Sequence, residues 1–226
     1  MYYNNFQNRL LDKDSTVLKL ILINIIFFVA DMLLPQLHIS DLLAVYYPAS
    51  PNYHFYQILT HQFIHAGFAH LFFNMFNLYM FGFRLEQVWG RNRFLLFYLF
   101  CGFGAFLLHM GVKAYQIYSL SGSLLPVEAS TNQLYYLINV PTVGASGAIY
   151  GLLAAYGYYF ANSEIYLYGI IPVKVKYFVL GMIAISLYLG FSNNPNDNVA
   201  HFAHLGGALF GFILVKLWNK NRNSLY

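Results

Sequence analysis

Apolar residues along this chain are massed in runs. Six runs stand out, at 17–34, 58–83, 94–110, 143–162, 177–191 and 199–218, with polar connections between them. Most approach the ~20 residues that a helix needs to cross a bilayer. The fifth is short and extends back towards Ile170. The pattern predicts an all-α, polytopic membrane protein, with six transmembrane helices in one domain over 1–226. Residues 1–15 are polar and no small-residue cleavage site follows the first run, so no cleavable leader is expected. Two connections are long. Residues 35–57 carry Pro48, Pro51 and several aromatics, and are expected to lie partly in the membrane interface. Residues 113–142 carry Tyr, Leu and Ile, which predicts a surface-lying amphipathic piece.

Composition agrees with this reading. The chain is 59% hydrophobic and only 9% charged, whereas soluble domains carry about 25% charged residues. A formal charge of +4, scattered along the chain, excludes a nucleic-acid patch. The single cysteine, Cys101, lies inside an apolar run and reads as a small buried hydrophobe. All but Lys113 of the twelve lysines and arginines fall at or before the start of the first run, in the second and fourth connections, or at the end of the sixth run. The positive-inside rule therefore puts both termini in the cytoplasm. Several of the abundant Tyr and Phe residues sit at run ends, as interface anchors do.

Polar groups inside spans are costly and point to function. The stretch 141–151 reads Pro-Thr-Val-Gly-Ala-Ser-Gly-Ala-Ile-Tyr-Gly. Gly144, Ala145 and Gly147 strip side chains from around Ser146, at the start of the fourth span. A helix start offers unpaired N–H groups and a positive dipole end to a developing anion. In the sixth span His204 precedes Gly206, Gly207 and Ala208. The second, fourth and sixth spans run from outside to inside, so Ser146 and His204 lie at matching depth. They form a candidate nucleophile and general base. Tyr150, at i+4 from Ser146, shares its face and can pack on the imidazole. His201 is the competing base. No aspartate is spaced to orient His204, neither Asp31 nor Asp197, so a dyad is expected. His70 and Asn74, four apart on one face, are candidate oxyanion donors beside the Ser146 amide. They reach the same level only if the second run starts above the bilayer or tilts. His61 and His65 read as hydrogen bonders that pin the preceding loop, and Glu86 as an ion-pair group among Arg84, Arg91 and Arg93. Each feature has a plainer alternative. The small residues suit tight helix packing, the histidines interhelical hydrogen bonding, and Tyr150 ordinary core packing.

Taken together, Gly144-Ala145-Ser146-Gly147, Ala203-His204-Leu205-Gly206-Gly207 and His70-x-x-x-Asn74, each on its expected span, resemble the rhomboid intramembrane serine proteases. The resemblance covers about 16–217, in the six-span form. It implies that Ser146 is the nucleophile and His204 the base. It makes the Ser146 N–H, His70 and Asn74 the oxyanion site and Tyr150 the ring stacked on the histidine. It implies transmembrane protein substrates, cleaved near the outer ends of their helices within the lipid bilayer, and neither metal nor cofactor. The family form and the absence of a targeting segment suggest a bacterial inner membrane. Some family members carry Trp-Arg in the first outer loop where this chain has Tyr56-Gln57. Two readings compete with a protease. One is a non-catalytic relative that binds and unwinds helices, although such relatives typically lack Ser or His. The other is a transporter or channel using His70, Asn74 and His204 in a polar path, although these cluster towards the outer side. Nothing in the pattern fixes the oligomeric state or a particular substrate.

Overall fold

The computed structural model describes residues 14–167, 169–192 and 200–223. Helix α1 (Thr16–Leu33) is followed by a 3-10 turn, Pro35–Leu37, and by short helices α2 (Ile39–Leu43) and α3 (Gln57–Thr60). A second 3-10 turn, His61–Phe63, leads to α4 (Phe68–Trp89). Then come α5 (Arg91–Ser121), α6 (Asn132–Asn139) and α7 (Ser146–Tyr159). A hairpin of β1 (Glu164–Leu167) and β2 (Ile171–Lys174) joins α7 to α8 (Val175–Phe191), and α9 (His201–Asn223) follows. The fold is a polytopic helical membrane fold. By length and apolarity Thr16–Leu33, Arg91–Ser121 and His201–Asn219 can each cross a membrane, and Val175–Phe191 is a shorter apolar helix.

Helix α7 has 14 residues, about 21 Å at 1.5 Å per residue. It tolerates that shortness because it is the innermost helix: Gly147, Ala148 and Ile149 are buried, and so is every residue from Gly151 to Ala155. Small residues let its neighbours come close. A Cβ on Gly147 would run into Ala105 of α5, and one on Gly151 into Cys101. A Cβ on Gly207 of α9 would run into the Gly147 carbonyl, and one on Gly211 would lie 2.8 Å from the Gly151 backbone. Two glycine pairs, each spaced by four, thus lock α7 against α9.

Several boundaries differ from the apolar runs. The second run divides. Residues 57–63 form short turns and the long helix starts at Phe68. The reason is tertiary: Thr60 Oγ1 donates to the Leu43 carbonyl (2.8 Å) and the His61 carbonyl accepts from Gly144 N (2.9 Å). The third run continues to Ser121, so much of the supposed 113–142 connection is helix. The amphipathic piece expected there is α6, with Leu134 and Ile138 buried four apart. The fifth run does not extend back towards Ile170 as helix. Pro172 and the β-branched residues beside it form β2, turned by Gly169 at φ 73°. This hairpin is a small addition to the predicted all-α class. The sixth run becomes α9 from His201, and residue 199 lies outside the described residues.

Glu86 corrects the ion-pair reading. It is buried and caps α1, accepting from Ser15 Oγ (2.7 Å), Thr16 N (2.7 Å) and Val17 N (3.4 Å). Those N–H groups are the ones a helix leaves without internal partners. Arg91 lies 3.8 Å from Asp14.

Candidate active site

Ser146 is the first residue of α7. Its hydroxyl lies 2.8 Å from Nε2 of His204, a residue fifty-eight positions further along the chain. The glycine seam below them explains how two helices come close enough for that bond. With the imidazole neutral, the Ser146 O–H donates to Nε2. Tyr150, one turn along α7, stacks on the His204 ring with centroids 4.2 Å apart and planes 7° from parallel. Its phenol oxygen accepts from Ser186 Oγ of α8 at 3.1 Å. Three helices therefore set the plane of one imidazole. His204 lies at the end of the first turn of α9, a turn earlier than its run implies.

His201 is buried and meets His204 edge-on at 5.9 Å and 90°. The Ser146 hydroxyl is within hydrogen-bond distance of His204 Nε2. Asp31 is engaged elsewhere: its carboxylate accepts from Ser40 N (2.9 Å) and Ser40 Oγ (2.6 Å). Asp197 lies outside the described residues.

The start of α4 at Phe68 puts His70 in its first turn and Asn74 in its second. Both therefore stand nearer the start of their helix than the second run implies. The His70 ring lies against Gly144: Cε1 and Nε2 are each 2.8 Å from where a Gly144 Cβ would stand. Gly144 also has φ 117°, so both its backbone and its neighbour require glycine. Asn74 is buried and its Nδ2 donates to the His70 carbonyl of its own helix at 2.8 Å. Ser146, His204 and Tyr150 are thus in direct contact. His70 touches the loop that delivers Ser146, and Asn74 is tied to His70.

The preceding loop carries further polar fixings. His61 Nδ1 lies 2.8 Å from the Gln57 carbonyl, whereas the His65 ring meets His70 edge-on at 5.0 Å, a ring contact in place of the expected hydrogen bond. Gln57, 0% exposed, donates from Nε2 to the carbonyls of Leu42 (3.1 Å) and Asn52 (3.0 Å) and accepts from His54 N (3.0 Å). Tyr56 is exposed and stacks on His54 at 5.3 Å. The Gln57 amide thus pins the loop from inside.

Beside Ser146 is a small cavity of about 20 Å³, lined among others by His61, Gln62, Thr142, Gly144 and Ala203. That is close to the space one water needs. Two polar residues escaped the sequence reading. His109 Nε2 lies 3.0 Å from Thr142 Oγ1, and Lys113, counted there only as a charge, donates from Nζ to the Val140 carbonyl at 2.9 Å. Their spacing of four on one apolar helix was the available signal.

Residues 52–220 match a family model described as the Rhomboid domain. The chain is similar to RHOMBOID-like protein 6, mitochondrial, of Arabidopsis thaliana, 33% identical over 75% of this chain and 48% of that one. It is similar to Rhomboid protease AarA of Providencia stuartii, 32% identical over 67% of this chain and 51% of that one. It is also similar to Rhomboid-like protein 11, chloroplastic, of Arabidopsis thaliana, 31% identical over 89% of this chain and 64% of that one. The chain thus spans about half the length of the first two relatives.

Proposed function

We propose, from the premise that this chain belongs to the rhomboid family, that it is a serine endopeptidase acting on transmembrane segments of other proteins. The observation that carries this reading is the 2.8 Å contact of Ser146 Oγ with His204 Nε2, beneath the stacked Tyr150 ring. A serine hydroxyl is a weak nucleophile until a base takes its proton. In this mechanism Oγ attacks the substrate carbonyl carbon while His204 Nε2 takes the hydroxyl proton. The carbonyl oxygen becomes an oxyanion, held by the Ser146 N–H, by His70 and by the second N–H of Asn74. Removing one such donor typically costs ~3 kcal/mol of transition-state stabilisation. The C–N bond then breaks, and the leaving amine takes the proton from His204. Water next attacks the acyl-enzyme ester, giving its proton to His204, which returns it to Ser146 as the acid product leaves. The cavity beside Ser146 is a suitable place for that water.

The substrate must expose a peptide bond. A regular helix ties up its carbonyls, so segments with helix-breaking Gly or Pro near the outer end of the span are the expected substrates. The charge distribution supports cytoplasmic termini, and the bacterial inner membrane is the proposed location.

The test is labelling of purified protein in lipid nanodiscs by a fluorophosphonate, beside cleavage of a model single-span substrate. Wild type should label and cleave, and Ser146→Ala and His204→Ala should do neither. Full cleavage by Ser146→Ala would overturn the nucleophile assignment. A wild type that binds the substrate without labelling or cleaving would make the chain a non-catalytic helix binder.

A further inference from the structure

The segment that delivers Ser146, residues 140–144, is fixed at several points. Its backbone pairs with the first outer loop in both directions: Thr142 N donates to the Val45 carbonyl at 2.8 Å and Val45 N to the Thr142 carbonyl at 3.0 Å. Gly144 N donates to the His61 carbonyl at 2.9 Å. The remaining two fixings are side chains from one face of α5. His109 meets the Thr142 hydroxyl at 3.0 Å, and one turn later Lys113 donates to the Val140 carbonyl at 2.9 Å.

Lys113 is unusual for its setting. It is 8% exposed, and α5 around it contributes Met110 and Ile117 to an apolar cluster with Leu134 and Ile138 of α6. A lysine on an apolar helix ordinarily reaches for water. This one turns inward to the residue that closes α6, since Val140 is the C-cap of that helix. A cation there meets the negative end of the helix dipole and a carbonyl with no partner inside the helix. Immediately downstream, Gly144 at φ 117° is the most permissive backbone position before the nucleophile. A segment ending in such a glycine holds one shape only if its upstream half is fixed.

We propose that Lys113 and His109 are positioning residues that clamp residues 140–142, so that Gly144 and the Ser146 amide are presented in one arrangement to the oxyanion. The inference rests on the protease reading given above. Neither side chain touches the reacting atoms. Their effect passes through the backbone, and it is a rate effect rather than a loss of substrate binding.

The experiment compares wild type, Lys113→Met, Thr142→Val and Thr142→Ser in nanodiscs. It reads both the rate of fluorophosphonate labelling and the final labelled fraction. The fraction counts folded, competent protein, and the rate reports the geometry around Ser146. Lys113→Met and Thr142→Val should reach the wild-type fraction about ten to a hundredfold more slowly, the scale of a displaced reacting geometry. Thr142→Ser keeps the hydroxyl and should stay within about threefold of wild type. If Lys113→Met does not fold, the near-isosteric Thr142→Val decides. Rates for both variants within about twofold of wild type would overturn the clamp alone, as would a reduced fraction labelling at the wild-type rate. If wild type itself does not label, the protease reading falls and the clamp falls with it.

Discussion

A hydroxyl and an imidazole meet at 2.8 Å in this molecule because the side chains between their helices have been removed. Gly207 shows how little freedom that leaves, since any Cβ there would occupy the position of the Gly147 carbonyl, next to Ser146. Gly207→Ala should therefore push α9 away from α7 and lengthen the contact of Ser146 with His204. A displacement near 1 Å costs about a hundredfold in rate, so cleavage should fall by about that factor while the protein still inserts. Gly181→Ala in α8 is the control, because nothing lies within 4 Å of its added methyl. Equal activity of the two variants in the cleavage assay would show that the seam does not set the dyad. The Tyr150 ring and its hydroxyl separate in the same way. Tyr150→Phe keeps the stack on His204 and loses the bond from Ser186, so turnover should change by less than about threefold. Tyr150→Ala loses an aromatic contact of about 0.5–1.5 kcal/mol, and turnover should fall roughly three- to tenfold through freedom of the imidazole plane. A Tyr150→Phe variant as slow as Tyr150→Ala would assign the effect to the phenol oxygen.

Helix α1 starts on a side chain from another helix. Glu86, near the end of α4, takes three hydrogen bonds from Ser15, Thr16 and Val17. Glu86→Ala would leave these donors unpaired in a buried place, at a cost of about 1.5–3 kcal/mol for loss of a charged acceptor. Unfolding in mild detergent should move accordingly, while turnover per labelled Ser146 stays at the wild-type value. Glu86 also shows where sequence reading stops. Ser146, Tyr150 and the glycines after His204 were legible because helical spacing places them on faces, and three short motifs fix their order. His70 and Asn74 were legible as a pair, but their depth depended on where α4 starts, and that is decided by bonds from Thr60 and His61 to distant segments. The partners of Glu86 lie about seventy positions away, and no periodicity encodes them. Lys113 read as a stray charge for the same reason, since its acceptor is a backbone carbonyl that α6 brings back to α5. The hairpin was missed because its apolar residues merge into the run that follows.

On the protease reading, the molecule as a whole must hold a water-consuming site in an apolar bundle, and its orientation decides which side supplies the water. Helix α7 spans about 21 Å, short of the ~30 Å hydrocarbon layer. If the end of α7 near Tyr159 meets the cytoplasmic boundary, Ser146 lies about 9 Å beneath the outer one. It is then closer to the outer water than to the cytoplasm. This arrangement requires the 164–174 hairpin to be cytoplasmic and the α5–α6 connection to be external. The lysines of the hairpin side, Lys174 and Lys176, argue for that. Single cysteines decide it. Val127 is 100% exposed in the α5–α6 connection and Ile170 is 78% exposed at the hairpin tip, while Cys101 is buried and should stay silent. In spheroplasts of a bacterial expression host, a membrane-impermeant maleimide should label Val127→Cys directly and Ile170→Cys only after permeabilisation. The reverse pattern would put Ser146 on the cytoplasmic side and redirect the search to substrates whose cytoplasmic juxtamembrane segments carry the helix breaker.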